Sequence, residues 1–246
     1  MSSIPPDRPS QRRFPTTRWS RVVAATGSGA PQGRENLEAL CEAYWYPLYA
    51  YARRRGHSPE QAQDLTQDFF AYVLEKDLLA RADPHRGRFR SFLLGVYTHY
   101  LANRHDYEHA LKRGGGRSAL SIDATTAEGR YDRDLVLNLT PERIFDRSWA
   151  LTLLGRVLDE LRREYEDSGR EAVFETLSVN LTEGPQAESY AAIGRRLGVS
   201  EGSARVAVHR LRRRYAHLLR CEIAATVEDS EEIEDEIRAL FAALQA

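Results

Sequence analysis

The sequence predicts an all-α protein in which two helical domains are joined by a flexible linker. Apolar residues recur three or four positions apart through most of the chain, as on one face of a helix, and strand patterns are scarce. A polar segment at 114–144 has no sustained period and is expected to be the linker. The 246 residues, 42% of them hydrophobic, are enough for two small domains with buried cores.

Residues 1–33 are expected to form a disordered arm with a short helix near Trp19. Pro, Ser and Arg dominate its beginning, and GSGAPQG at 27–33 is typical of a linker. Neither this arm nor the rest of the chain contains the apolar run of a membrane helix or a secretory signal. A cytoplasmic protein without a membrane partner is therefore expected.

The first helical domain is predicted at 34–113. Its first helix contains Pro47, which either kinks the helix or marks a helix start. Ser58 followed by Pro59 is typical of a helix beginning, since serine caps well and proline fits the first turn. A third helix, rich in aromatic residues, is expected to begin near Phe89.

The second helical domain is predicted at 145–224. An apolar stripe begins near Phe145, and a second one follows around Phe174. The stripe residues are Trp149, Leu153, Val157, Leu158 and Leu161 in the first, and Phe174, Leu177 and Leu181 in the second.

The segment 189–214 predicts a helix-turn-helix. Ile193 and Leu197 lie on one face of its first helix, Gly198 permits a sharp turn, and Ser200 is placed to cap a second helix. The second helix has an apolar edge and an opposite basic edge. The apolar edge is Ala204, Val208 and Leu211; the basic edge is Arg205, His209, Arg210, Arg212 and Arg213. A basic helix presented by a tight turn is suited to the major groove of DNA, although a solvated amphipathic helix has the same pattern.

Charge is separated along the chain although the net charge is only −1. Residues 189–220 contain eight arginines against Glu201, which is typical of a nucleic-acid-binding surface. Residues 225–246 are predicted to form an acidic amphipathic helix. We expect its apolar stripe to dock on the C-terminal domain, and we hypothesise that the tail also competes with DNA for the arginine face.

No pattern in the sequence indicates an enzyme, a cofactor or a metal site. Cys41 and Cys221 have no CxxC spacing, and His105 and His109 lack the glutamate spacing of a zinc protease. No phosphate-binding glycine loop or nucleophile elbow is present in the sequence. A non-enzymatic protein is therefore expected.

Three segments in order resemble a bacterial RNA polymerase sigma factor of the extracytoplasmic-function type. Residues 44–76 are similar to the helix pair that binds core polymerase, and 83–113 to the helix pair that reads and melts the minus-ten promoter element. Residues 189–219 are similar to the helix-turn-helix that reads the minus-thirty-five element. The resemblance implies promoter DNA and core RNA polymerase as partners, and an anti-sigma factor or a regulatory kinase as means of control.

The resemblance also implies residue roles. The residues expected to bind polymerase are Asp64, Gln67 and Asp68. Those expected near the melted element are His99, Asn103 and Arg104, with a flipped-out base held by a loop around Thr98 and His99. Those expected to contact duplex bases are Arg205, Val206, His209 and Arg210. Ser203 and the arginines 195, 196, 212, 213 and 214 are expected to contact phosphates. Ala207 stands where many relatives have arginine, so a narrower set of base contacts is expected.

Two other functions fit parts of the pattern. A stand-alone helix-turn-helix regulator would use its N-terminal domain to sense a ligand or dimerise. A DNA recombinase or transposase would need a cluster of Ser, Asp or Glu in that domain. Binding to core polymerase distinguishes the sigma factor from both.

Overall fold

The computed structural model describes residues 31–76, 78–81, 88–108, 124–135, 137–181, 184, 187–224, 227 and 231–245. Within these residues the fold is all-α, as predicted, and contains no strand. In chain order the helices are α1 (Pro31–Arg54), α2 (Pro59–Glu75), α3 (Phe89–Glu108), α4 (Ala124–Leu135), α5 (Pro141–Asp167), α6 (Glu171–Ser178), α7 (Tyr190–Leu197), α8 (Glu201–Ala224) and α9 (Glu232–Leu244), with a 3-10 turn at Leu78–Arg81. Over this part of the chain, none of the helices could cross a membrane. Of the predicted arm at 1–33, residues 1–30 lie outside the described residues, and residues 31–33 belong to helix α1 instead of a linker.

The described chain divides into two compact units. The N-terminal unit comprises 31–153 and 223–245, and the C-terminal unit comprises 154–222. The division falls inside α5, whereas the sequence analysis begins its second domain at 145. The acidic tail is part of the N-terminal unit.

Helices α1 and α2 build the core of the N-terminal unit. Tyr44 and Tyr49 of α1 are fully buried, and α1 continues through Pro47, which therefore does not mark a helix start. Helix α2 begins as predicted, because Ser58 Oγ accepts from Gln61 N at 3.2 Å and Ser58 N donates to Gln61 Oε1 at 3.0 Å. This reciprocal cap sets the direction in which the polar face of α2 is presented.

Helix α3 begins at Phe89, as predicted, and is continuous to Glu108. The expected loop around Thr98 and His99 is wrong, since both residues lie inside the helix. Tyr97 is fully buried, and Thr98 Oγ1 donates to the Leu94 carbonyl at 2.8 Å. A core-facing stripe through Leu93 and Tyr97 favours an unbroken helix at this point.

The segment predicted to be a linker contains a helix, α4. Among its side chains that the structure describes, Ala127 and Tyr131 are the buried apolar ones, and two such residues give no recognisable period in the sequence. Its attachment is largely polar, because Glu128 accepts from Arg53 Nη2 at 2.6 Å and from Arg53 Nε at 3.1 Å. Because this ion pair joins α4 to α1, the prediction of a flexible linker is wrong for residues 124–135.

Helix α5 begins at Pro141, before the predicted start near Phe145. Thr140 Oγ1 accepts from Arg143 N at 3.3 Å and caps the helix. Residues of the predicted apolar stripe are buried in both units. Trp149 and Leu153 are buried in the N-terminal unit, and Val157 and Leu161 in the C-terminal unit.

The C-terminal unit places α7 and α8 on a small core that includes Phe174 and Leu177 of α6. Buried Asn180 positions the chain entering α7. Its Nδ2 donates to the Glu188 carbonyl at 2.8 Å, and its Oδ1 accepts from Glu188 N at 3.0 Å. These two hydrogen bonds of the Asn180 side chain fix the backbone segment that leads into α7 and so to the turn between α7 and α8.

The acidic tail forms α9, as predicted, and its most buried residues are Glu236 and Leu240. Glu236 pairs with Arg88 and Arg90, which lie in the predicted first domain at 34–113. The Leu244 carbonyl accepts from Arg147, which lies in the predicted second domain at 145–224. The tail therefore contacts parts of both predicted domains, whereas docking on the second alone was expected. Residues 225, 226, 228–230 and 246 of the predicted tail lie outside the described residues.

Candidate functional site

A three-residue turn joins α7 to α8. Gly198 ends α7 with φ 66° and ψ 30°, a left-handed conformation that glycine adopts without a Cβ penalty. Ser200 Oγ accepts from Ser203 N at 3.1 Å and caps α8, as predicted. The direction of α8 is thus set by local backbone chemistry that is readable in the sequence.

Gly194 is a structural determinant of this turn that the sequence analysis missed. It is buried within α7, and a Cβ at this position would lie 2.9 Å from the Val199 carbonyl oxygen. Only a residue without a side chain allows α7 to approach the turn this closely. A glycine inside a short amphipathic helix is the signal that could have identified it.

Helix α8 has a buried edge and an exposed edge. Ala204, Val208 and Leu211 are buried, as predicted. Six of the predicted DNA-contacting residues are exposed on α8: Ser203, Arg205, Val206, His209, Arg210 and Arg213. Ala207 is buried, so it belongs to the core rather than to this surface.

Two contacts orient the exposed edge of α8 near its N-terminus. The Arg205 guanidinium lies 5.3 Å from the centroid of the Tyr190 ring and 3.7 Å from Glu201 Oε1. Ser203 Oγ lies 2.9 Å from Ser200 Oγ, beside the backbone amides that begin the helix. Such amides attract anions because they lack partners within the helix.

Three arginines expected to contact phosphate have partners within the C-terminal unit. Arg212 Nε donates to the Asn180 carbonyl at 2.8 Å, and Arg214 makes two bonds to Glu164, one of them 2.8 Å long. Arg196 pairs with Glu188 at 2.7 Å. Arg212 and Arg214 therefore stabilise the position of α8, which the basic sequence pattern alone does not reveal.

The residues expected to bind polymerase lie together on α2. Asp64 and Asp68 are exposed and Gln67 is half-buried, so all three occupy one side of the helix. Asp68 has an intramolecular partner, since Arg104 Nη1 donates to Asp68 Oδ2 at 2.5 Å.

The residues expected near the melted element lie along α3. His99 and Asn103 are exposed, and His99 Nε2 lies 2.8 Å from Asn103 Nδ2. Arg104 is half-buried and also donates to the Tyr100 hydroxyl at 2.5 Å. A surface depression of about 590 Å³ runs beside His99 and includes Ser91, Gly95, Thr98 and Asp146 in its lining.

The helix expected to be rich in aromatic residues is α3, and part of this aromatic set builds the core. Phe89 and Tyr97 are buried in the core, and burial raises the pKa of Tyr97. Phe92 and Tyr100 are half-buried. Lys112 and Arg113, and the side chain of Tyr107, lie outside the described residues.

The ion pairs that Arg88 and Arg90 form at the start of α3 were not predicted. Arg88 Nε lies 2.7 Å from Glu236 Oε2, and Arg90 Nη1 lies 3.0 Å from Glu236 Oε1. Arg90 also lies 4.3 Å from the Trp149 ring centroid and 3.5 Å from Asp146. Burial raises the pKa values of Glu236 and Asp146, against the opposing effect of the arginines.

No cluster of three potential metal ligands occurs among the described residues. Cys41 is buried, Cys221 is half-buried, and neither forms a disulfide bond among the described residues. The side chains of His105 and His109 lie outside the described residues. No protein-family model, curated protein or solved structure was found to match this chain.

Proposed function

We propose that this protein is a sigma factor of the extracytoplasmic-function type, which binds core RNA polymerase and directs promoter recognition, DNA melting and transcription initiation. On this proposal it is a cytoplasmic, non-enzymatic protein that guides the chemistry of another enzyme. The observation that carries the proposal is the α7–turn–α8 arrangement, with its exposed arginine edge over a buried apolar edge.

Duplex recognition is assigned to α8 as the second helix of a helix-turn-helix. Arginine forms two hydrogen bonds with guanine in the major groove, and each good pair contributes about 1–3 kcal/mol of discrimination. Arg205 and Arg210 are therefore proposed to read bases, with His209 and Val206 beside them. Ser203 and Arg213 are proposed to contact phosphates, which contribute affinity rather than sequence choice.

Polymerase binding is assigned to the outer side of α2. Exposed Asp64 and Asp68 can form charge-assisted hydrogen bonds with guanidinium groups of a partner, and Gln67 lies between them. Carboxylates at this spacing suit a basic helical surface, in keeping with the resemblance of 44–76 to a polymerase-binding segment.

Binding of the melted strand is assigned to α3. His99 lines the depression and Asn103 Nδ2 lies 2.8 Å from His99 Nε2, so both offer hydrogen-bonding groups there, and Arg104 adds a positive charge. Control by an anti-sigma factor or a kinase remains part of the proposal, since exposed surfaces on both units would suit such partners.

Reconstitution with purified core polymerase tests the proposal. The full chain is expected to co-elute with core in gel filtration and to give start-site-specific products in run-off transcription. A chain that binds duplex DNA alone and never joins core polymerase would instead be a stand-alone regulator. Failure to bind either partner would overturn the proposal.

A further inference from the structure

We propose that α9 covers a second nucleic-acid-binding surface, a cluster of Arg88, Arg90 and Arg147 that takes the phosphate backbone of single-stranded DNA once the helix is displaced. The inference rests on the proposed function for the identity of the ligand. It does not use the arginine edge of α8, which the sequence analysis suggested as the target of the tail.

All three arginines of this cluster contact α9. Glu236 lies within 3.0 Å of both Arg88 and Arg90, and Arg147 Nη1 donates to the Leu244 carbonyl at 2.9 Å. Glu236 thus occupies the position that a phosphate would take between two guanidinium groups. Residues 231–245 contain five carboxylates against Arg238, so the covering helix is itself an anionic segment.

The contact is suited to exchange rather than to permanent attachment. Few side chains of α9 are buried, notably Glu236 and Leu240, while Phe241 remains 49% exposed. The buried atoms Arg90 Nη1 and Glu236 Oε2 make no well-directed hydrogen bond, although each lies near an opposite charge. When a buried ion pair is incompletely hydrogen-bonded, the attraction between its charges offsets little of the free-energy cost of removing them from water.

Displacement of α9 would change the three arginines unequally. Arg90 would keep its contacts with Trp149 and Asp146, so it would stay ordered. Arg88, whose side chain is already 39% exposed, and Arg147 would lose their contacts with the tail and could bind phosphate.

The position of the cluster favours a single strand as the ligand. Asp146, which contacts Arg90, also lines the depression that reaches His99. Along α3 the rise from Arg90 to His99 is roughly 14 Å, at about 1.5 Å per residue. A strand whose base lies at His99 could therefore continue with its backbone across the arginine cluster.

The test is binding of a short fluorescent single-stranded DNA to the full chain without polymerase. Glu236→Lys is expected to displace α9 by charge repulsion. If α9 covers the cluster about 90% of the time, affinity should rise about tenfold. The slope of log affinity against log salt should steepen by about 0.7 for each phosphate gained. Asp235→Lys is the matched control, because it changes the same charge at an exposed position of α9 and should show no comparable gain.

Two further variants identify the surface. Adding Arg88→Ala to Glu236→Lys should remove most of the gain. A chain ending at residue 230 should reproduce the gain, and a peptide of residues 231–245 added in trans should suppress it. If Glu236→Lys does not fold, DNA binding by this truncated chain tests the inference in its place.

The inference is overturned if Glu236→Lys and Asp235→Lys tighten binding equally, if Arg88→Ala leaves the gain intact, or if neither the folded point variant nor the truncated chain gains affinity. The outcome is independent of polymerase. A displaced tail that increases DNA binding supports this inference even if the chain never co-elutes with core, which would overturn the proposed function alone.

Discussion

Arg104 Nη1 donates a hydrogen bond to Asp68 Oδ2 at 2.5 Å. The proposed function gives these two side chains different partners: DNA for Arg104 and polymerase for Asp68. The side chain of Asp68 is 55% exposed, so the pair lies near solvent. Exposed ion pairs contribute about 0–1 kcal/mol, and their partners can be exchanged at little cost. Capture of Asp68 by a basic surface would therefore break this ion pair and leave Arg104 bonded to the Tyr100 hydroxyl.

The first prediction concerns this pair. Asp68→Asn should weaken binding to core polymerase. By removing the negative charge beside Arg104, it should also tighten binding of single-stranded DNA about twofold, as expected for loss of a competing interaction of about 0.4 kcal/mol. Surface plasmon resonance against core and anisotropy against DNA measure the two effects. Movement of both affinities in the same direction would show that the pair does not couple the two partners.

Asp64 provides a cleaner test of the polymerase-binding side of α2, because it is exposed and no ion pair involving it is described. Asp64→Arg should abolish co-elution with core polymerase while the midpoint of thermal unfolding stays unchanged. Asp132→Arg reverses an equally exposed carboxylate on α4 and should co-elute normally. Normal co-elution of a folded Asp64→Arg protein would exclude this surface.

The features that the sequence predicted well are those set by neighbouring residues. Ser58, Gly198 and Ser200 act on backbone atoms within a few positions, so their effects are readable without the fold. The apolar stripes of α5 and α8 were also recognisable from spacing, because burial of one face is a property of the helix itself.

The features that it missed depend on contacts between distant segments. Glu236 is far from Arg90 in the sequence, and Glu128 is far from Arg53. Both ion pairs form only through tertiary packing, so no local pattern predicts them. The same limit explains why the basic pattern of α8 did not reveal which of its arginines pair within the protein. Nothing local distinguishes Arg213, which is exposed, from Arg214, which pairs with Glu164.

The duplex-binding surface makes a prediction about specificity. Arg210→Ala should relax recognition at one base pair. The binding free energy should weaken by about 1–3 kcal/mol for DNA that carries the preferred base there, and stay unchanged for other bases at that position. Arg213→Ala should weaken binding to all duplex sequences alike and reduce the salt slope by about 0.9. A panel of promoter fragments with single base changes separates the two patterns. Equal losses across the panel for both variants would contradict this division of roles.

Gly194 makes a prediction about the turn between α7 and α8. Gly194→Ala places a Cβ 2.9 Å from the Val199 carbonyl oxygen, and relief of that contact should cost about 1–3 kcal/mol of unfolding free energy. Duplex DNA binding should weaken as well, because α8 is held at its start by this turn. Urea unfolding and DNA binding are the measurements.

Gly155→Ala is the matched control for Gly194. It lies in α5 within the same unit, and a Cβ there meets no atom within 4 Å. The substitution should therefore stabilise the helix by about 0.5–1 kcal/mol and leave DNA binding unchanged. If both variants stabilise the protein, the close approach at Gly194 does not constrain the turn.

The Glu128–Arg53 pair makes a prediction about pH. The hydrogen bonds from Arg53 lower the pKa of Glu128 below its usual range, so ionised Glu128 stabilises the folded protein above the unfolded-state pKa near 4.5. Glu128→Gln should cost about 1 kcal/mol at neutral pH. The difference should shrink as the pH falls through the lowered pKa, since wild-type Glu128 then loses its charge too. Urea unfolding at pH 7 and in steps below pH 4.5 measures both effects, and a difference that stays constant over this range would show that the charge of Glu128 does not hold α4 to α1.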